Sequence, residues 1–389
     1  MSEAVITVKI EDLSRGGAGV AKLDTPEGKQ VVFVPYTLPG DLVQVTIVEQ
    51  AKRFSNAELV RILEPSPDRV PAPCPVFGKC GGCTWQHIPY AMQWKTKVEG
   101  VRHALQRTER PWSGPFDEFP AAQPWNYRNR IQLRGRAQVG AEPELGFFAR
   151  GSKKLIPVER CDIARKEINQ ALTKIRKEAG SFGPEFKVEV EVLTNGEIRH
   201  AWNANHGAMG FRQVNDDQNL KLQNYISRHL SDGAHVYDLF GGNGNLSLGL
   251  VNRVKTVDCV DVGSPTENGP AKPANFRFFK TDAVKWIDRQ AQSKKHGTYA
   301  QSGPFEAILD PPREGLGKGF DQVADAFETL GVKKIVAVGC DPDAWARDVS
   351  RFQKRGYEMI ASAVFDLFPQ TPHVEAVGVL VFRDSFKAR

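Results

Sequence analysis

Long apolar runs, cysteine and methionine are what this chain lacks. Its 389 residues hold six cysteines and four methionines. No stretch approaches the roughly 20 apolar residues that a membrane-spanning helix needs, so no membrane partner is expected. The first ten residues, MSEAVITVKI, show no charged and apolar leader with a cleavage site, and a cytoplasmic location is the expectation. Six cysteines are too few for a disulfide framework at this length. Three of them, Cys74, Cys80 and Cys83, fall within ten positions, a crowding that suits metal binding in a reducing compartment. Internal repeats and low-complexity tracts are absent too. What remains is globular composition in a chain too long for one ordinary domain, so two or three are expected.

Charge divides the chain more sharply than composition does. Lys and Arg number 7 against 9 acidic residues in 1–66, 23 against 15 in 67–215, and 22 against 22 in 216–389. The whole net excess of +6 therefore traces to the middle of the chain. A localised positive field of this kind suits a polyanionic partner, whose phosphates would contribute much of the affinity. A solvated basic surface without a partner has the same charge, so further features must decide.

Residues 4–63 read as five short strands separated by turn signals such as Arg15-Gly16-Gly17 and Leu38-Pro39-Gly40-Asp41, the pattern of a small closed barrel of the OB type. A proline-rich linker leads to CPVFGKCGGCTWQH, and Cys161 follows much later. Four thiolates satisfy either a tetrahedral zinc site or a 4Fe-4S cluster, and spacing does not separate the two. A helix is predicted over 90–107. In the following WNYRNRIQLRGR, strand periodicity places Arg128, Arg130, Arg134 and Arg136 on one face, with Ile131 and Leu133 opposite. That cationic row is the candidate RNA contact, since guanidinium groups pair with phosphates and stack on bases. Further strands are expected at 145–158, 187–193, 197–203 and 207–213, with a helix over 162–179, giving a mixed α+β domain.

From Asp216 onward strands and helical patterns alternate. Strands are expected near 235–239, 256–261, 276–279, 305–309, 333–338, 357–365 and 374–383, a doubly wound Rossmann-like α/β domain. The first runs into DLFGGNGN, where Gly241, Gly242 and Gly244 allow a tight strand-to-helix turn around a ligand; Asp261 ends the second strand, placed for ribose hydroxyls, and Asp282 follows the third. Ser247 occupies the position of the third glycine of a dinucleotide fingerprint, which favours S-adenosylmethionine over a nicotinamide cofactor. Asp310 sits on the rigid turn DPPREG, and Cys340 leaves an apolar strand into Gly-Cys-Asp-Pro. Alone, Cys340 would be a small buried hydrophobe. In the company of Asp310 and the glycine turn, at strand ends of one sheet, it becomes the candidate nucleophile.

These motifs together resemble the RNA uracil-C5 methyltransferases, in particular the iron-sulfur branch acting on 23S ribosomal RNA. The likeness runs through CPVFGKCGGC with Cys161, GFRQVN, DLFGGNGN, DPPREG, GCDP and FDLFPQTPHVEAVG in order. It implies an N-terminal TRAM barrel in 1–66, a cluster-bearing basic domain in 67–215 and an S-adenosylmethionine-dependent methyltransferase domain in 216–389. It implies Cys340 as nucleophile, Glu375 as base, Gln213, Phe240, Asn245, Asp261, Asp282 and Asp310 around cofactor and base, and a 4Fe-4S cluster on Cys74, Cys80, Cys83 and Cys161. The implied partner is RNA, 23S ribosomal RNA first and transfer RNA second, with no obligate protein partner. Three positions depart from the family pattern: Asp261 stands where glutamate is usual, Asp341 where asparagine is usual, and Pro265, Pro270 and Pro273 interrupt an expected helix. Two other readings compete, an RNA-binding protein without activity and an iron-sulfur redox enzyme.

Overall fold

The computed structural model describes residues 5–25, 28–137, 140–180, 182, 184–204, 212–263 and 272–383. Pro265, Pro270 and most of the strand expected at 207–213 lie outside them. By contacts the chain forms two compact units, one of Met1–Lys97, Ala122–His206 and Phe368–Pro372, the other of Val98–Ala121, Gly207–Leu367 and His373–Arg389.

The first unit opens with β1 (Val5–Lys9), β2 (Asp12–Leu13), β3 (Gly19–Thr25), β4 (Gly28–Val34), β5 (Leu42–Gln50) and β6 (Phe54–Glu64), in one sheet of order β1-β5-β6-β4-β3-β2. Its two edges are consecutive pieces of one segment joined through Ile10 and Glu11, so the sheet curls back on itself as a barrel. Alternate residues, among them Val8, Val32, Val34, Val43 and Val45, fill the interior, as a period of two requires. Asp41, buried at the turn before β5, accepts from the N–H groups of Leu38 and Ser66 at 2.9 and 2.8 Å and pairs with Arg69. Burial works against its carboxylate, but Arg69 and the two N–H donors prevail and hold its pKa below the usual range. One buried acid thus ties the linker to the barrel.

Helix α1 (Tyr90–Gln106) and the short β7 (Asp117–Phe119) come next, then β8 (Arg130–Arg136), β9 (Glu144–Phe148), β10 (Leu155–Pro157), α2 (Lys166–Ala179), β11 (Glu185–Val192) and β12 (Ile198–Trp202). The second sheet of this first unit has the order β10-β9-β8-β11-β12. Residues 145–158 form a hairpin rather than one strand, because the acid-free turn ARGSKK interrupts them. Ile168, Leu172 and Ile175 of α2 pack with Ile131, Leu133, Val188 and Val190 in one core.

The second unit contains α3 (Asp216–His229), β13 (His235–Leu239), β14 (Thr256–Asp261), β15 (Phe276–Lys280), α4 (Ala283–Lys295), β16 (Phe305–Leu309), α5 (Phe320–Leu330), β17 (Val332–Gly339), α6 (Pro342–Lys354), β18 (Tyr357–Phe365) and β19 (Glu375–Phe382). The sheet order is β15-β14-β13-β16-β17-β19-β18-β7. Strands β13 to β17 run parallel, and β19 is antiparallel to both neighbours. Every residue of β13 and β16 is buried, which explains why their sequences lack polar alternation. Three assignments change: 212–215 and 98–121 cluster with the second unit, and Phe368–Pro372 with the first. Residues 98–121 were expected in the basic middle domain, yet β7 pairs in parallel with β18 and Phe119 stacks on Phe365 with ring centroids 4.4 Å apart.

Candidate active site

Four neighbouring parallel strands, β14, β13, β16 and β17, each supply an acid or a thiol at or near their carboxyl ends. β13 ends in a reversal in which Phe240 takes a left-handed φ of 63° and Gly242 and Gly244 take φ of 55° and 82°. A Cβ on Gly241 would lie 2.5 Å from the Asp238 carboxylate and 2.7 Å from Cys259 Sγ, so only glycine fits there. The turn leads not into an α-helix, as expected, but into a 3-10 turn at Leu248–Leu250. Ser247, in the place of the third glycine, donates to Asp238 at 2.5 Å. Asp238 is fully buried, and burial pushes its pKa up to about 6 against the opposing Ser247 hydrogen bond.

Asp261 accepts from the Gly242 and Gly263 N–H groups at 3.0 and 2.7 Å. The shorter acid thus braces the glycine turn across the β13–β14 ends. Asp282 caps α4 by accepting from the Lys285 N–H at 2.9 Å. Asn245 exchanges hydrogen bonds of 3.1 and 2.8 Å with Asn219 of α3 and accepts from Gln223 at 3.2 Å. Gln213 is half-buried two residues before Asn215, the cap of α3.

Asp310 follows β16, and its pKa is raised to about 7 by burial and then by the neighbouring charges of Asp238 and Asp261. Cys340 follows β17. A Cβ on Gly339 would come within 2.8 Å of Trp345, so this glycine serves close packing; it does not serve a left-handed turn. Asp341 is the N-cap of α6, accepting from the Ala344 N–H at 2.8 Å with Pro342 opening the helix. The departure from the usual asparagine thus has a structural role. Further along α6, Asp348 accepts from the Leu316 N–H at 2.6 Å and Arg347 donates to the Glu314 carbonyl at 2.6 Å, so the helix that starts beside the thiol also grips the loop after Asp310. A cavity of about 20 Å³ lined by Cys340, Trp345 and Phe352 lies between them.

Glu375 is brought to this place by register. Gly339 pairs with Ala376 in the antiparallel β17–β19 ladder, so the next step along sets Glu375 across from Cys340. Glu375 is buried, and burial followed by the Asp310 charge raises its pKa well above the carboxylate range. Cys340 is pushed up to about 11 by burial, Glu375 and Asp310, with Arg313 opposing. Asp238 and Arg313 were not singled out in the sequence, although an acid just before a glycine turn and a cation in DPPREG were both visible signals.

In the first unit Cys74, Cys80, Cys83 and Cys161 all line one cavity of about 200 Å³, with Phe77, Arg128 and Asp162 among its walls. Burial pushes Cys83 up to about 12 and Cys161 to about 11. Among the described residues no three His, Cys, Asp or Glu side chains cluster tightly enough to hold a single metal ion. The arginine row is not one open face. Arg130 is only 8% exposed and pairs with Glu189 and Glu191 at 3.5 and 3.0 Å, because β11 places Glu191 directly opposite it and Glu189 opposite Gln132, the next residue on the same face. Arg134 lies over the Phe148 ring, and Arg136 reaches Glu185 at 3.5 Å. No helix among the described residues is long and apolar enough to cross a membrane.

Comparison with known proteins adds to this geometry. Residues 3–60 match the TRAM domain model and 191–384 the model for tRNA (uracil-5-)-methyltransferase. An uncharacterized RNA methyltransferase of Streptomyces coelicolor is 30% identical over 96% of this chain and 92% of its own. The 23S rRNA (uracil(1939)-C(5))-methyltransferase RlmD of Acinetobacter baylyi is 29% identical over 97% and 96%. Among solved structures, the Pyrococcus abyssi tRNA (uracil-54, C5)-methyltransferase, determined with S-adenosyl-L-homocysteine, superposes with a TM-score of 0.68, covering 97% of this chain and all of that one at 21% identity.

Proposed function

Because the chain belongs to the tRNA (uracil-5-)-methyltransferase family and carries a TRAM domain, we propose that it methylates C5 of a specific uridine in RNA through a transient bond between Cys340 and C6 of the base. The substrate we favour is 23S ribosomal RNA, the substrate named for relatives similar along almost their whole length, with transfer RNA second. What carries the reading is the register that sets Cys340 against Glu375 with Asp310 alongside.

Uracil C5 is too weak a nucleophile to take a methyl group unaided. On this reading Cys340 adds as thiolate to C6, and the electron pair displaced toward O4 and C5 makes C5 nucleophilic. S-adenosylmethionine, held by Gln213, Phe240, Asn245, Asp261, Asp282 and Asp310, supplies an electrophilic methyl group on a sulfonium cation. The local charge suits it: Asp238 and Asp261 lie near enough to Asp310 to raise its pKa, so the three would give a cation an anionic seat. Glu375 then removes the C5 proton, and the electrons of that bond restore the ring double bond and expel Cys340. Glu375 is suited to this step because burial has raised its proton affinity. The target uridine must leave its stack to reach the thiol. Arg128, Arg134 and Arg136 are proposed to hold the RNA; Arg130, already paired, is reassigned to the sheet.

The cysteine centre is proposed to hold a 4Fe-4S cluster on Cys74, Cys80, Cys83 and Cys161. Four sulfur donors around one cavity fit it, and about 200 Å³ is far more than a single zinc ion fills. The cluster is read as structural, with no step of the reaction passing through it. RNA containing 5-fluorouridine tests the mechanism, since fluorine at C5 cannot leave as a proton. A denaturation-stable protein–RNA adduct is expected with the parent and none with Cys340→Ala. Absence of methyl incorporation into any cellular RNA would sink the proposal.

A further inference from the structure

Two acid-free stretches of the chain meet at the cysteine centre. No Asp or Glu occurs in 69–98 or in 145–158. Cys80 pairs with Ala149 in an isolated antiparallel bridge, and the Gly81 N–H donates to the Phe148 carbonyl at 3.1 Å. A Cβ on Gly81 would lie 3.1 Å from that oxygen and 3.2 Å from the Arg150 nitrogen, so the two backbones touch as closely as glycine allows. The turn itself is built: Ala149 N–H donates to the Lys154 carbonyl at 2.9 Å and Ser152 N–H to the Ala149 carbonyl at 3.1 Å. It joins β9 to β10, the edge strand of its sheet.

This ordered edge displays Lys79, Arg150, Lys153 and Lys154, all exposed. Among the described residues none of the four has an ion-pair partner, whereas Arg160 nearby is paired with Asp162. Fixed cations without local acids are a surface for regularly spaced phosphates. We propose that the β9–β10 turn and Lys79 form an RNA phosphate-contact surface, and that the cysteine loop's task is to fasten that surface in place. The proposal rests on the RNA-methylating reading and adds to it a second contact region, distinct from the arginine strand.

The test is binding of polyuridine RNA by the full-length, cluster-loaded protein, followed by fluorescence anisotropy across a salt series, with iron per chain measured on the same samples. In Lys79→Gln/Lys153→Gln/Lys154→Gln, loss of three contacts flattens the slope of log K against log salt by about 2, and at about 0.1 M salt weakens binding by at least roughly tenfold. Iron content stays that of the parent. An unchanged slope and affinity overturns the proposal, as does loss of iron with the slope preserved, which would mean that the cations only balance the cluster's charge. Gly81→Val keeps every cation and opens the seam; weaker RNA binding with iron retained is expected, and parental affinity there refutes the fastening role. A parent that methylates RNA while the triple variant binds normally sinks this inference alone. A parent that methylates no RNA sinks the function it rests on.

Discussion

Neutralising Asp310 should make the Cys340 thiol more reactive while it impairs the proposed methyl transfer. Burial and then the charges of Glu375 and Asp310 push the Cys340 thiol up to about 11. At about pH 8 such a thiol is about one part in a thousand thiolate, against roughly a quarter for a free cysteine. Removing one adjacent like charge lowers a pKa by about one unit or more, so Asp310→Asn should raise the thiolate fraction about tenfold. The gain is pH-dependent in a definite sense. Asp310 is itself raised to about 7, so at about pH 6 it is protonated, has no charge to remove, and variant and parent should react alike. Peptide-resolved mass spectrometry of iodoacetamide labelling at Cys340, with both proteins lacking cofactor, reads this directly. Methyl transfer should meanwhile fall by about 100-fold or more if, as proposed, Asp310 helps seat cofactor and base. Equal or slower labelling of the variant at pH 8 would refute the electrostatic account of this site.

Raised carboxylate pKa values also make the cofactor-free protein less stable as pH rises. Asp310 and Glu375 bind their protons more tightly folded than unfolded, so their stabilising effect is present at low pH and fades as pH climbs through the folded values. Between about pH 7.5 and 8.5 an unfolded imidazole, with an ordinary value of about 6.5, is mostly neutral, and His87, whose pKa is lowered to about 4 by burial, is neutral in the fold as well. The thermal midpoint should therefore drop across that interval, and less steeply in Asp310→Asn. Asp341→Ala should cost about 1 kcal/mol by removing the α6 cap, and Asp341→Asn close to nothing, as chemical denaturation will report. Protein purified without oxygen should contain iron and acid-labile sulfide in equal amounts and lose both in Cys83→Ser; one zinc per chain in their place would overturn the cluster assignment.

The strands of the second unit were legible because buried parallel strands are continuous apolar runs, as HVYDL and FEAIL show with one acid each. β7 was not. Two of its three residues are acidic, and only the edge of β18 makes DEF a strand. The arginine row illustrates a different limit. Period two correctly sent Ile131 and Leu133 into the core, but the fate of Arg130 depends on Glu189 and Glu191, about 60 positions away and brought opposite by pairing that no local pattern encodes. Asp341 was the reverse case. Asp before Pro at a strand end is a helix-start signal in plain view, and the departure from the asparagine usual there is met by an acid that caps α6 equally well.

Those particulars bear on how the site works. Asp238, Asp261, Asp310, Glu375 and Cys340 share one property: each acquires negative charge when it ionises, and several raise one another's pKa. Arg313 is the cation that opposes this at Cys340, and it sits on the loop that Arg347 and Asp348 of α6 grip. Such an anionic set is unfavourable when empty and favourable around a bound cation, so on the proposed mechanism occupancy of the pocket by a positively charged cofactor should itself favour the Cys340 thiolate. Binding and activation are then one electrostatic event. On the proposed mechanism the occupant would be neutral after methyl transfer, and the acids of the site would then again raise the proton affinity of Glu375. That is when, on the proposed mechanism, Glu375 would take the C5 proton. A second cation built permanently into the site would keep the thiolate reactive but forfeit this timing, which gives a physical reason for a nucleophile surrounded by acids.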